Sequence, residues 1–136
     1  MSRKKNISYS LNSHVTPEEV IDVFKRSGIR RPVDDLDRIC KMTKNANLIA
    51  CARMERKLVG IARALTDFSY CCYVSDLAVD RDYQKQGIGK KLIQQIQAEL
   101  GEEVMISLIA APEAEAYYPR IGFEKVNTAW RIPRVK

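Results

Sequence analysis

Apolar and polar positions along this chain change their period several times, and each change marks an element. Residues 7–12 (I-S-Y-S-L-N) alternate, which predicts a strand. Beyond Thr16, the apolar residues Val20, Val23 and Phe24 recur at helical spacing. Thr16 as N-cap, Pro17 at the first helical position and Glu19 three residues on make a capping box at this start. Gly28 ends the helix. A second helix opens in R-R-P-V-D-D-L-D, with Leu36, Ile39 and Cys40 inward and Asp34, Asp35 and Asp37 at its positive end. Residues 48–54 and 58–65 are strand-like runs around the polar turn Glu55-Arg56-Lys57, so they predict a hairpin.

Residues 66–72 are irregular and lead into V-S-D-L-A-V, a further strand in which Leu77 and Val79 alternate with small or polar neighbours. Asp80, Arg81 and Asp82 break that pattern. From Gly87 the period becomes helical, with Ile88, Leu92, Ile93 and Ile96 on one face and Lys90, Lys91, Gln94 and Gln95 on the other. Gly101 stops this helix after Leu100. Residues 104–110 (V-M-I-S-L-I-A) are nearly all apolar, which predicts a central strand covered on both faces. A short helix is expected from Ala114 to Ile121, interrupted by Pro119, and then a last strand through Trp130. The order β-α-α-β-β-β-α-β-α-β predicts a mixed α/β fold. Its sheet would have about six strands flanked by about four helices, with a parallel pair on either side of the long helix. The 136 residues read as a single domain, 1–136, without repeats or linkers.

Composition narrows the class. With 46% hydrophobic and 29% charged residues the chain reads as a soluble globular protein. No apolar run approaches the roughly 18 residues of a membrane span. The start M-S-R-K-K-N-I-S has no apolar segment behind it, so the expected compartment is the cytoplasm. The net charge of +6 lies in two basic tails, Arg3, Lys4 and Lys5 in residues 1–5 and Arg131, Arg134 and Lys136 in residues 131–136. Between the tails no basic stripe is interleaved with aromatics, so a nucleic-acid partner is not expected. Cys40, Cys51, Cys71 and Cys72 contain no C-x-x-C pair and His14 is the one histidine, so no metal site is expected.

The candidate chemistry lies where the strand ending L-A-V hands over to the long helix. The first amides of a helix lack intrahelical partners and carry the positive end of its dipole. Gly87 and Gly89 let a ligand approach the backbone, and Lys85, Lys90 and Lys91 add positive charge. This suits a phosphate or pyrophosphate. It is not a P-loop, because Lys91 stands where a hydroxyl would hold magnesium. It is not a G-x-G-x-x-G dinucleotide loop, because Leu92 stands at the third glycine.

What remains is L-A-V followed by Q-x-x-G-x-G, with A-x-x-Y-Y-x-x-x-G-F downstream. The pair of motifs and the element order resemble the GCN5-related N-acetyltransferases over nearly the whole chain. The segment from G-I-A-R-A-L to the helix is most similar to the branch of plant chloroplast serotonin and lysine acetyltransferases. The resemblance implies an enzyme that transfers acetyl from acetyl-CoA to a primary amine, an arylalkylamine or a lysine side chain, by direct attack in a ternary complex. It implies that the backbone of Leu77, Ala78 and Val79 pairs with the pantetheine arm. It implies that Gln84, Lys85, Gln86, Gly87, Ile88, Gly89 and Lys90 hold the pyrophosphate, and that Tyr118 protonates the departing thiolate. Two positions depart from the family: Ala111 replaces an asparagine that contacts the cofactor, and Ser75 replaces a glutamate of the aminosugar relatives. Asp76 is then the nearest carboxylate for the role of base. Phe68, Tyr70 and Tyr73 are candidates to line the acceptor site. Other readings are a non-catalytic acyl-CoA-binding module and an aminosugar or polyamine acetyltransferase; the expected assembly is a monomer or homodimer.

Overall fold

The computed structural model describes residues 6–136; the basic tail at residues 1–5 lies outside the described residues. In chain order the elements are β1 (Ile7–Leu11), α1 (Pro17–Ser27), α2 (Leu36–Asn45), β2 (Leu48–Met54), β3 (Lys57–Thr66), β4 (Cys71–Val79), α3 (Ile88–Leu100) and β5 (Met105–Ser107). Single 3-10 turns occupy Arg81–Tyr83, Pro112–Ala114 and Tyr118–Ile121. The five strands form one mixed sheet in the order β1-β2-β3-β4-β5. β1 to β4 pair antiparallel and β4 pairs with β5 in parallel, on either side of α3 as the sequence predicts.

The helix starts form as expected. The Thr16 hydroxyl accepts the Glu19 amide at 3.1 Å and the Glu19 carboxylate accepts the Thr16 amide at 2.8 Å. Asp35 caps α2 by accepting the Arg38 amide at 3.1 Å. Gly28, with φ +82°, closes α1.

The sheet is covered on both faces. Ile49, Cys51, Ile61 and Ala78 pack under α1 and α2, whereas Ala50, Ala52, Val59 and Ala62 pack under α3. Leu92, Ile93 and Ile96 are fully buried, and each such side chain contributes about 1.5–3 kcal/mol. Small strand residues bring α3 close. A β-carbon on Gly60 would lie 3.0 Å from Ile88 Cγ2.

Three expectations are corrected. Residues 104–110 form a strand of only three residues, and it is the edge of the sheet, with Met105 66% exposed. Their apolar run reflects the underside, where Val104, Ile106 and Leu108 pack against the α3 layer. The helix expected from Ala114 to Ile121 is a pair of 3-10 turns, because Pro112 and Pro119 supply no amide. No strand forms after β5 among the described residues, so the sheet has five strands and the fold three α-helices. The residues expected to form that strand meet no core: Val126 and Trp130 are 61% and 92% exposed.

Candidate active site

β4 carries the site, and two departures from regular pairing shape it. Arg63 of β3 stands opposite Asp76 and Ala64 opposite Val74, so Ser75 is an extra residue, a bulge. On the other side β4 pairs with β5 only from Cys71 with Met105 to Tyr73 with Ser107. The pairing stops there, and the edge of β4 from Val74 to Val79 has no rung to β5. This unpaired stretch is the splay. Along it, Leu77 and Val79 pack toward α3 and Ala78 toward α1.

The loop after β4 is fastened at both ends. The Asp80 amide donates to the Val59 carbonyl at 2.8 Å, and one carboxylate oxygen accepts the Asp82 amide at 2.9 Å. Asp80 is buried, and the Lys57 ammonium lies 3.5 Å from its other oxygen. The Gln84 side-chain amide donates back to the Val79 carbonyl at 2.8 Å. Lys85 and Gly87 have φ of +65° and +83°, and this left-handed pair turns the chain into α3.

Gly87 is the N-cap of α3 and supplies no side-chain cap, and a β-carbon there would meet nothing within 4 Å. The α3 start therefore opens on free space, with Lys85, Lys90 and Lys91 exposed around it. This is the arrangement that suits a pyrophosphate. Gln84, Lys85, Gln86 and Gly87 are exposed, whereas Ile88 and Gly89 are buried at the first turn. Tyr117 comes down onto that turn, its hydroxyl over Gly89.

Tyr118 is half-buried, edge-on to Tyr117 at 5.4 Å and to Phe123 at 5.5 Å between ring centres. Burial raises its phenol above the ordinary 10.0 and the neighbouring Tyr117 adds to that, while the positive charge of Arg31 opposes both. At ordinary pH it holds its proton.

Asp76 lies 1% exposed beneath the bulge. One oxygen accepts from Arg31 Nε and the other from Arg63 Nε. Arg63 also donates to the Ser75 hydroxyl at 2.9 Å and to the Met42 carbonyl at 3.2 Å. Both oxygens of this buried carboxylate are thus already engaged by guanidiniums. Its geometry is that of a structural anchor rather than of the base the sequence pointed to. Sequence reasoning passed over Arg31 and Arg63. The signal for Arg63 was a cation inside the apolar run G-I-A-R-A-L, facing an acid inside the next strand, V-S-D-L-A-V.

Of the aromatic candidates, Phe68 and Tyr70 sit on the β3–β4 turn and Tyr73 at the last rung before the splay; they are 48%, 76% and 42% exposed. The Asp67 carboxylate holds that turn by accepting the amides of Ser69, Tyr70 and Cys71, which keep it down at about 2. Cys72 is buried and its thiol is raised by burial, which disfavours the nucleophilic thiolate. His14 and Cys40 border a separate concavity of about 520 Å³ where β1 ends and β2 begins. Among the described residues no group of three or more His, Cys, Asp or Glu is placed to hold a metal, and no helix is long and apolar enough to cross a membrane.

Comparison with known proteins decides the family. The model of the acetyltransferase (GNAT) domain matches residues 13–131. The chain belongs to the GNAT acetyltransferase family. It is 31% identical over 122 residues to an uncharacterized N-acetyltransferase, ycf52, of Gracilaria tenuistipitata var. liui, covering 87% of this chain and 67% of that protein. It is 36% identical over 77 residues to the chloroplastic GCN5-related N-acetyltransferase 2 of Arabidopsis thaliana, covering 53% of this chain and 29% of the relative. Its fold superposes with a TM-score of 0.72 on an aminoglycoside N-acetyltransferase in complex with CoA, at 15% identity and over 100% of this chain and 99% of that one. GNAT enzymes transfer acetyl groups to amines.

Proposed function

We propose that this chain transfers acetyl from acetyl-CoA to a primary amine by direct attack, at the splay between β4 and β5. The observation that carries the reading is the course of β4. Its pairing with β5 stops at Tyr73, yet it runs on to Val79 and delivers the chain to an uncapped glycine start of α3. Leu77, Ala78 and Val79 offer backbone along the splay for the pantetheine arm. Gln84, Lys85, Gln86, Gly87, Ile88, Gly89 and Lys90 hold the pyrophosphate at the helix start.

Acetyl-CoA supplies an acyl group activated as a thioester. The neutral amine forms the C–N bond as the C–S bond breaks, the amine loses its proton to water, and the Tyr118 hydroxyl protonates the sulfur. Holding amine and thioester together supplies much of the rate. Asp76 serves the site as the anchor of the bulge. The acceptor we favour carries an aromatic or aliphatic arm, an arylalkylamine or a lysine side chain, because Tyr73 presents open apolar surface at the last rung before the splay, with Phe68 and Tyr70 exposed on the turn that precedes β4.

The test is a mass-spectrometric screen of the purified chain with acetyl-CoA against pooled arylalkylamines, polyamines, amino sugars, amino acids and lysine peptides. Acetylation of an arylalkylamine or a lysine peptide is the expected result. Acetyl-CoA binding with no amine acetylated supports the non-catalytic binding module instead.

A further inference from the structure

The helical layer on one face of the sheet stops short of a corner. On that face α1 and α2 cover Ile61 and Ala78, and the cover extends to Arg63 and Asp76, which are buried. Arg63 donates to the Met42 carbonyl of α2. The next side chains outward on the same face are Leu65 of β3 and Tyr73 of β4, which stand directly opposite each other. Their alternating neighbours Ala64, Cys72 and Val74 belong to the α3 side. Met105 extends the row onto β5, where it pairs with Cys71 while Ile106 packs on the α3 side. Leu65 is 43%, Tyr73 42% and Met105 66% exposed. Three adjacent strands thus present a bare apolar shelf.

The shelf runs into the splay. Val74, the residue after Tyr73, begins the stretch of β4 that has no rung to β5. The shelf lies on the face of the sheet away from α3, so it does not compete with the helix start for a ligand. Its rim is fixed in place. The Thr66 hydroxyl donates to the Cys71 carbonyl at 2.7 Å, and the Met105 amide donates to the Tyr70 carbonyl at 3.0 Å. A surface ordered in advance loses little entropy on docking.

We propose that the acceptor is a lysine on a peptide segment with bulky apolar residues beside it, and that Leu65, Tyr73 and Met105 are the specificity-determining surface on which those residues dock. The inference rests on the transfer reaction proposed above and chooses between its two acceptor classes. The form of the surface makes the choice. Small-molecule sites are concave and bury most of their ligand. An arylalkylamine lying on an open shelf would be covered on one side only. A peptide keeps its backbone in water and lays its apolar side chains against the shelf. A contiguous exposed apolar surface is itself a mark of protein contact.

The experiment uses two short peptides with blocked N-termini and one central lysine. Leucine and phenylalanine flank the lysine in one, serine and glycine in the other, and 2-phenylethylamine serves as the small amine. The first readout needs no turnover. Cys71 is exposed and stands beside Met105, whereas Cys72 is buried. Alkylation of Cys71 by N-ethylmaleimide, followed by mass spectrometry with CoA present, should slow strongly with the apolar peptide and not with the polar one.

The second readout is kcat/KM with acetyl-CoA. Wild type should prefer the apolar peptide to the polar peptide and to 2-phenylethylamine by about tenfold. Leu65→Ser and Met105→Ser, made singly, should each reduce the preference between the peptides several-fold with acetyl-CoA affinity held. A merely structural role would lower both peptides together and keep their ratio. Should either variant not fold, the two peptides on wild type still decide. Equal kcat/KM for the two peptides, better use of 2-phenylethylamine, or a preference that survives both substitutions overturns the proposal. A wild-type chain that acetylates no amine rejects the transfer reaction. Protection of Cys71 by the apolar peptide then still supports the shelf as a docking surface, and its absence overturns it.

Discussion

A β-carbon on Gly89 would collide with the hydroxyl of Tyr117. The two residues lie on separate motifs, one at the start of α3 and one in the turn after β5, and the contact joins them across the site. Glycine inside a helix ordinarily costs about 1 kcal/mol relative to alanine. Here that cost is accepted where Tyr117 comes down.

The contact predicts a sign change in a double-variant cycle. Gly89→Ala alone should destabilise by about 1 kcal/mol, since Tyr117 must swing away. In a Tyr117→Phe background the hydroxyl is gone, and Gly89→Ala should be neutral or stabilising by up to about 1 kcal/mol. Denaturant titrations of the four proteins measure this directly.

Asp76→Asn should be strongly destabilising, by about 3–5 kcal/mol, because it leaves Arg31 and Arg63 beneath the bulge without their counter-charge. Thermal melting reads the loss. A variant with wild-type stability and no activity would instead return Asp76 to the role of catalytic base.

The Glu19–Arg53 pair gives a pH dependence with a definite sign. Hydrogen bonding from Arg53 holds the Glu19 carboxyl below its ordinary 4.5, helped by the Thr16 amide and resisted by burial. A depressed carboxyl stabilises the fold above its unfolded value, and the contribution fades as pH falls through the folded one. Glu19→Gln should therefore lower the melting temperature near neutral pH. The gap to wild type should close below pH 4.5, the ordinary value of the carboxyl.

The parts of the fold with local causes were legible in the sequence. Thr16, Pro17 and Glu19 specify the start of α1 without help from the rest of the chain. Ile88, Leu92 and Ile96 mark the buried face of α3. The parallel pair around α3 also followed from element order. The region after Ser107 was less legible, because its apolar residues suit a strand while pairing depends on distant partners. Val126 and Trp130 have strand chemistry, yet neither packs against the core.

At the site, Gly87 and Gly89 identified the helix start by motif, and each has its own cause: a positive φ at Gly87 and the overlying Tyr117 hydroxyl at Gly89. Asp76 was read as a base because it was the nearest acid in sequence. What changes its meaning is Arg31, 45 residues away in the chain. No periodicity links those two positions. Only the packing of the α1–α2 segment against β4 brings them together.

The central claim is that Tyr118 delivers a proton in acetyl transfer at the splay. The most direct measurement is kcat of Tyr118→Phe beside its acetyl-CoA dissociation constant, with the amine that wild type acetylates. The account predicts a fall in kcat of about a hundredfold or more, with acetyl-CoA affinity changed by no more than about twofold, because the pyrophosphate and pantetheine sites lie on other residues. A Tyr118→Phe protein that binds acetyl-CoA and turns over at the wild-type rate would contradict it.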